Sequence, residues 1–176
     1  MITNIVVPTD GSDHAKKACD LAGDLAAKYG AAVTILHVMM SDASLDQLQL
    51  LATEHGADEA LVKQIEELVQ LPMESFSYGS DAVPMSVPVP QEVLTAIGGL
   101  VTAAARKAMS EKGVENISVQ MVGGHAAGAI IDAAERTGAD MIIMGSRGLG
   151  NLKGMLVGSV SHKVNNLSPV TCVTVK

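Results

Sequence analysis

Short β-branched runs alternate with longer stretches of helical periodicity, and this alternation constrains the fold more than any other feature of the chain. Ile5, Val6 and Val7 run into Pro8-Thr9-Asp10-Gly11, the pattern of a strand closing on a turn. From Ser12, a favoured N-cap residue type, apolar side chains recur at Ala15, Ala18, Cys19, Ala22, Leu25, Ala26 and Tyr29, with Gly30 placed to stop the helix. Ala32 to Met39 is then a mostly apolar run suited to a strand covered on both faces. The order returns further on, with Asn116 to Val122 as strand, Ala126 to Thr137 as helix and Met141 to Met144 as strand. Gly158 to Leu167 follows as helix and, after the Ser168-Pro169 break, Val170 to Val175 as strand. Strands alternating with helices make βαβ units, whose crossovers are right-handed. The expected fold is α/β, a five-stranded, mostly parallel open sheet with helices on both faces, Rossmann-like in its winding.

The 176 residues, 48% of them apolar, suit one core and a single domain over 1–176. The middle stretch, Ser41 to Gly113, is longer than one crossover helix needs. Leu45, Leu48, Leu51 and Ala52 predict one short helix, and Ala57 to Val69 a second, with Gly56 between them. Val93, Leu94, Ile97, Leu100, Val101, Ala104, Ala105, Ala108 and Met109 keep helical spacing up to Gly113 and predict the crossover helix itself. Pro72, Pro84, Pro88 and Pro90 favour extended backbone in between, with only Glu74 and Asp81 as charges over 72–90. The part at about 41–91 reads as a helical and proline-containing insertion.

A formal charge of −7 and three aromatic residues in all exclude a polyanion-binding surface and a base-stacking platform, so no nucleic-acid partner is expected. The N-terminus lacks the charged and apolar regions of a secretory signal, and no apolar run approaches a spanning length. A cytoplasmic protein without membrane insertion is expected. Cys19 and Cys172 form no C-x-x-C pair and read as small buried hydrophobes. His14, His37, His55 and His162 have no metal-site spacing, with His14 and His162 expected at the surface and His125 as a solvated side chain.

The most informative stretch is Met144 to Ser161, MGSRGLGNLKGMLVGSVS, which leads from a buried-looking strand into a helix. Glycine lets backbone N–H groups approach a ligand closely, and a helix N-terminus offers unpaired donors and partial positive charge. Together these hold phosphate. Two well-known phosphate loops fail here. No glycine pair is followed by Lys and a hydroxyl residue, as G-x-x-x-x-G-K-[ST] requires, and Lys153 stands where the third glycine of G-x-G-x-x-G would be.

Gly145, two residues, Gly148, nine residues, then Gly158-Ser159 resembles the nucleotide-binding pattern of the universal stress protein family. Ile5 to Ser12 resembles that family's first strand and turn, His37-Val38 the close of its second strand, Met141 to Ser146 its fourth strand and Pro169 to Val175 its last. The resemblance covers about residues 1–40 and 92–176, and it implies an adenine nucleotide alpha-hydrolase-like fold. It further implies that Pro8, Thr9 and Asp10 border the adenosine half of a nucleotide and that Val38 offers backbone groups to the adenine edge. Gly123 would close the site from the third strand. Met144, Gly145, Arg147, Gly148, Gly158, Ser159, Val160 and Ser161 would surround ribose and phosphates, bridged by Mg²⁺ with no side-chain ligand. With the motif complete, the resemblance implies the ATP-binding branch, with ADP or AMP as alternatives.

Asp10 is the sole acid near the inferred site, and beside Gly11 and Ser12 it also fits an Asx turn. The related pyrophosphatase signature S-G-G-x-D-S is replaced by Pro8-Thr9-Asp10-Gly11-Ser12-Asp13. No catalytic base is evident for phosphoryl transfer. The expected function is therefore an ATP-binding stress-response regulator with at most slow hydrolysis. The alternative is a protein-interaction scaffold of the same fold that uses no nucleotide. By the same resemblance, a homodimer through the last strand, about 169–175, is expected, together with an unidentified regulatory protein partner.

Overall fold

A computed structural model describes residues 1–39, 44–70, 88–150 and 158–176. The elements run β1 (Asn4–Pro8), α1 (Asp13–Tyr29), β2 (Ala32–Met39), α2 (Leu45–Glu54), α3 (Glu59–Val69) and α4 (Gln91–Glu111). They continue as β3 (Ile117–Gly123), α5 (Ala126–Thr137), β4 (Met141–Gly145), α6 (Ser159–Leu167) and β5 (Thr171–Val175). The five strands form one sheet in the order β3-β2-β1-β4-β5, with every pairing parallel. The expected extended backbone over 72–87, and Lys153 and Gly154 of the glycine-rich stretch, lie outside the described residues.

Local chemistry explains the boundaries. Ser12 caps α1 by accepting from Ala15 N–H at 3.3 Å, and Gly30 closes it at φ 66°, a left-handed conformation that a Cβ would strain. Ser44 and Gln47 form a reciprocal capping box at the start of α2, and Asp58 caps α3. Pro90 is the N-cap of α4, and its fixed φ suits a helix start.

Alternation along β1 builds two cores. Ile5 and Val7 pack with Val33, Ile35 and Ile143 against α1 and α4. Val6 turns to the opposite face with Leu36, Val38, Ile142 and Met144, against α5 and α6. Each such side chain, fully buried, contributes roughly 1.5–3 kcal/mol of transfer free energy. A one-residue slip of β1 would exchange the two sets, so the register Ile5 to Val33 is strongly specified. A third cluster joins Leu48, Leu51 and Ala52 of α2, Ile65 of α3 and Val93, Leu94, Ile97 and Val101 of α4. No helix among the described residues is long and apolar enough to cross a membrane.

The winding positions the site. From β1 the chain steps outward to β2 and β3, then returns to place β4 on the other side of β1. The loops after β1 and β4 therefore diverge, and a crevice opens beyond the carboxyl ends of these two strands.

Candidate functional site

The crevice holds a cavity of about 330 Å³, lined among others by Pro8, Thr9, Asp10, Val38, Met144 and Gly145, and by Arg147, Gly148, Gly158, Ser159, Val160 and Ser161. Of the residues expected from the sequence, Gly123 alone lies elsewhere. It ends the edge strand β3 opposite Met39 and is not among the lining residues. Leu36, Ala126 and Ile130, not singled out in the sequence, complete an apolar wall. Their signal was ordinary core periodicity on β2 and α5, which does not distinguish a core face from a cavity wall.

The turn after β1 is held rigidly. Thr9 N–H donates to Leu36 O at 2.9 Å, and Thr9 Oγ1 accepts from Gly11 N–H at 3.3 Å. His37 Nδ1 lies 2.9 Å from Thr9 O, and because a carbonyl only accepts, the proton sits on Nδ1. Burial pushes the His37 pKa down, so the buried ring stays neutral. Asp10 Oδ1 accepts from Ser12 N–H at 3.0 Å, which is the Asx turn, while Oδ2 accepts from Leu149 N–H at 3.0 Å. One carboxylate thus shapes the first turn and ties it to the glycine loop after β4.

Val38 has backbone groups to offer. Leu36 points its carbonyl at the β1 side, where it accepts from Thr9 N–H, and the strand repeat aims Val38 N–H and C=O to the same side. The register of β1 against β2 ends at Pro8 and Leu36, so β1 has turned away before it could pair with Val38. Among the described residues, both groups face the cavity without a strand partner.

The loop after β4 closes on itself at Ser146. Its N–H donates to Val175 O at 2.7 Å, and its carbonyl accepts from Gly158 N–H and Ser161 Oγ, both at 2.8 Å. Ser146 Oγ lies 2.9 Å from His14 Nδ1, so His14 is half-buried in a polar contact and not at the surface as expected. His125 and His162 are exposed. Close approach explains two of the glycines. A Cβ on Gly145 would lie 2.9 Å from the backbone of His14 and Ala15, so this glycine lets α1 rest on β4. A Cβ on Gly148 would strike Asp10 Oδ2.

α6 begins with Gly158 as N-cap and no side-chain cap. The first turn of a helix leaves its N–H groups without intrahelical partners. Gly158 N–H is engaged by Ser146, but among the described residues no acceptor meets the N–H groups of Ser159, Val160 or Ser161. No acidic residue stands in this turn, and Arg147, which makes no ion pair among the described residues, lines the same cavity. The cavity therefore has an apolar end of Leu36, Val38, Ala126 and Ile130 and an end of cationic and amide donors suited to an anion.

The sequence profile of the universal stress protein family matches residues 1–176. The chain belongs to the universal stress protein family. Among its relatives, universal stress protein YxiE of Bacillus subtilis is 31% identical over 176 residues, covering 98% of this chain and 96% of YxiE. A universal stress protein solved in complex with cAMP is 21% identical at a TM-score of 0.60, over 99% of this chain and 96% of that one. One from Archaeoglobus fulgidus, solved in complex with dAMP, is 17% identical at a TM-score of 0.60, over 100% of both chains. These likenesses establish the fold as adenine nucleotide alpha-hydrolase-like.

Proposed function

We propose that this universal stress protein is an adenine-nucleotide-binding regulator of the stress response that takes ATP with Mg²⁺ and hydrolyses it slowly at most. The observation that carries this reading is the cavity at the sheet's switch point, with three amide donors of α6 that have no acceptor among the described residues at one end and apolar side chains at the other. About 330 Å³ falls in the range of small-ligand sites. A purine would lie against Val38, Ala126 and Ile130, with its edge toward the backbone groups of Val38. Asp10 would accept from ribose hydroxyls, and Arg147 with the first turn of α6 would hold the phosphates. The Mg²⁺ would bridge phosphate oxygens and neutralise their charge. Related proteins solved with cAMP and dAMP support an adenine nucleotide as the class of ligand.

The same geometry supports slow hydrolysis at most. An attacking water must be oriented as well as the phosphate held. Among the described residues, Asp10 is the only carboxylate lining the cavity, and each of its oxygens already accepts a backbone N–H. It positions two loops and is poorly placed to act as a base.

Isothermal titration with ATP, with and without Mg²⁺, tests the proposal. Saturable micromolar binding that Gly148→Val abolishes is expected. No heat at millimolar ATP would contradict it and favour a scaffold that uses no nucleotide.

A further inference from the structure

The loop that borders the cavity is also held from outside by α2. Leu149 donates its N–H to Asp10 Oδ2 at 3.0 Å, and its carbonyl accepts from Gln47 Nε2 at 2.9 Å. Its side chain packs against the third hydrophobic cluster, built from α2, α3 and α4. Three different kinds of contact thus converge on one residue, next to the glycine whose missing Cβ makes room for Asp10.

Gln47 is the N3 residue of α2, and its amide serves two purposes at once. Its Oε1 accepts from Ser44 N–H at 3.0 Å, completing the capping box, while its Nε2 reaches the loop. Further along α2 the two elements part. Leu50, Leu51 and Glu54 face Arg147, Gly148, Leu149 and Gly150 across a second cavity of about 350 Å³. With that gap between them, the loop is held to α2, among the described residues, by Gln47 and the Leu149 side chain.

We propose that Gln47 is a positioning residue for the nucleotide site, coupling the docking of α2 to occupancy of the cavity through Leu149. The inference rests on the nucleotide-binding reading above and names its regulation. A nucleotide held by Arg147, Gly148 and α6 favours the loop position in which Leu149 also meets Asp10 and Gln47, so binding tightens α2. By linkage, anything that loosens α2 weakens nucleotide binding by the same factor.

Gln47→Glu isolates the contact. Glutamate retains the capping-box acceptor for Ser44 N–H, but its carboxylate has no donor for Leu149 O. Gln49→Glu is the matched control, since Gln49 is exposed on the same helix and its side chain makes no hydrogen bond among the described residues. Leu149→Ala removes the packing arm while leaving the cap untouched.

The test combines titration with ATP and Mg²⁺ with hydrogen exchange of the α2 amides, in wild type and variants. In wild type, saturating ATP is expected to slow α2 exchange about fivefold, the low end of typical site-to-site coupling. Gln47→Glu is expected to weaken ATP binding about fivefold, the equivalent of about one hydrogen bond, and to abolish the slowing. Leu149→Ala shifts both readouts in the same direction, and Gln49→Glu shifts neither. ATP binding with unchanged α2 exchange in wild type would overturn this inference alone. So would equal affinity losses in Gln47→Glu and Gln49→Glu. Absence of ATP binding to wild type would overturn both this inference and the nucleotide reading.

Discussion

Replacing Ser159 with proline removes a single backbone donor from the anion end of the cavity at little cost to the fold. Ser159 is the first residue of α6, where the N–H has no intrahelical partner and proline's fixed φ suits the helix. The residue before a proline must be extended, and Gly158 already sits at φ −71°, ψ 153°. The Ser159 side chain is exposed and makes no hydrogen bond among the described residues. Stability is therefore expected to change by no more than about 0.5 kcal/mol. Binding is a different matter, since a hydrogen bond to a charged group contributes about 1.5–3 kcal/mol. At about 1.4 kcal/mol per tenfold, ATP affinity should fall roughly 10- to 150-fold. Ser159→Ala, which keeps the amide and loses the hydroxyl, separates the two contributions. Thermal unfolding and isothermal titration on the three proteins give both numbers. Unchanged ATP affinity in Ser159→Pro with an intact fold would refute the assignment of the α6 amides to phosphate.

Other outcomes follow from the packing and the buried groups. Gly145→Ala pushes a Cβ to 2.9 Å from α1 backbone and is expected to cost about 1–3 kcal/mol, seen as a lower melting temperature. Gly148→Ala meets the pinned Asp10 carboxylate, so its cost of about 1 kcal/mol should shrink in an Asp10→Ala background, as a double-mutant cycle would reveal. Burial lowers the His37 pKa below its ordinary 6.5, so below that pH the unfolded chain binds the proton more readily than the native one. Stability is thus full above pH 6.5 and falls as pH drops from 6.5 toward the lower native value; His37→Gln should flatten this decline, leaving the share of His55, whose pKa burial also lowers. Burial pushes the Cys19 thiol up to about 11, so under native conditions iodoacetamide should label Cys172 first and Cys19 only on unfolding. β5 is an edge strand, and light scattering should find a homodimer whose interface a scan of charged substitutions over 169–175 maps to that edge.

The alternation of strand runs and helical stripes made the sheet legible, because each run is apolar on the faces that the cores require. Ile5 and Val7 fall in one core and Val6 in the other, as the period of two demands. Boundaries moved by a residue or two where hydrogen bonds, not hydrophobicity, decide them. β3, for instance, runs through Gly123 because its ladder to β2 extends to Met39. The glycine spacing and the ends of the first two strands, read through their resemblance to a family, named much of the cavity lining, but they missed Leu36, Ala126 and Ile130 and included Gly123, which is not among the lining residues. That glycine ends on an outer strand, two places from β1 in the sheet order. What stayed hidden was long-range. Gln47 carries a local signal as a capping residue, but nothing near it in the chain points to Leu149 a hundred residues on. His14 likewise read as surface until Ser146 was brought beside it.

The central claim is that the first-turn amides of α6 grip the phosphates of an adenine nucleotide. Backbone amide shifts recorded by NMR while ATP and Mg²⁺ are added test it most directly. The account predicts that the Ser159, Val160 and Ser161 amides move together and saturate at one dissociation constant shared with Gly148. Saturable binding that leaves these three amides in place would contradict it.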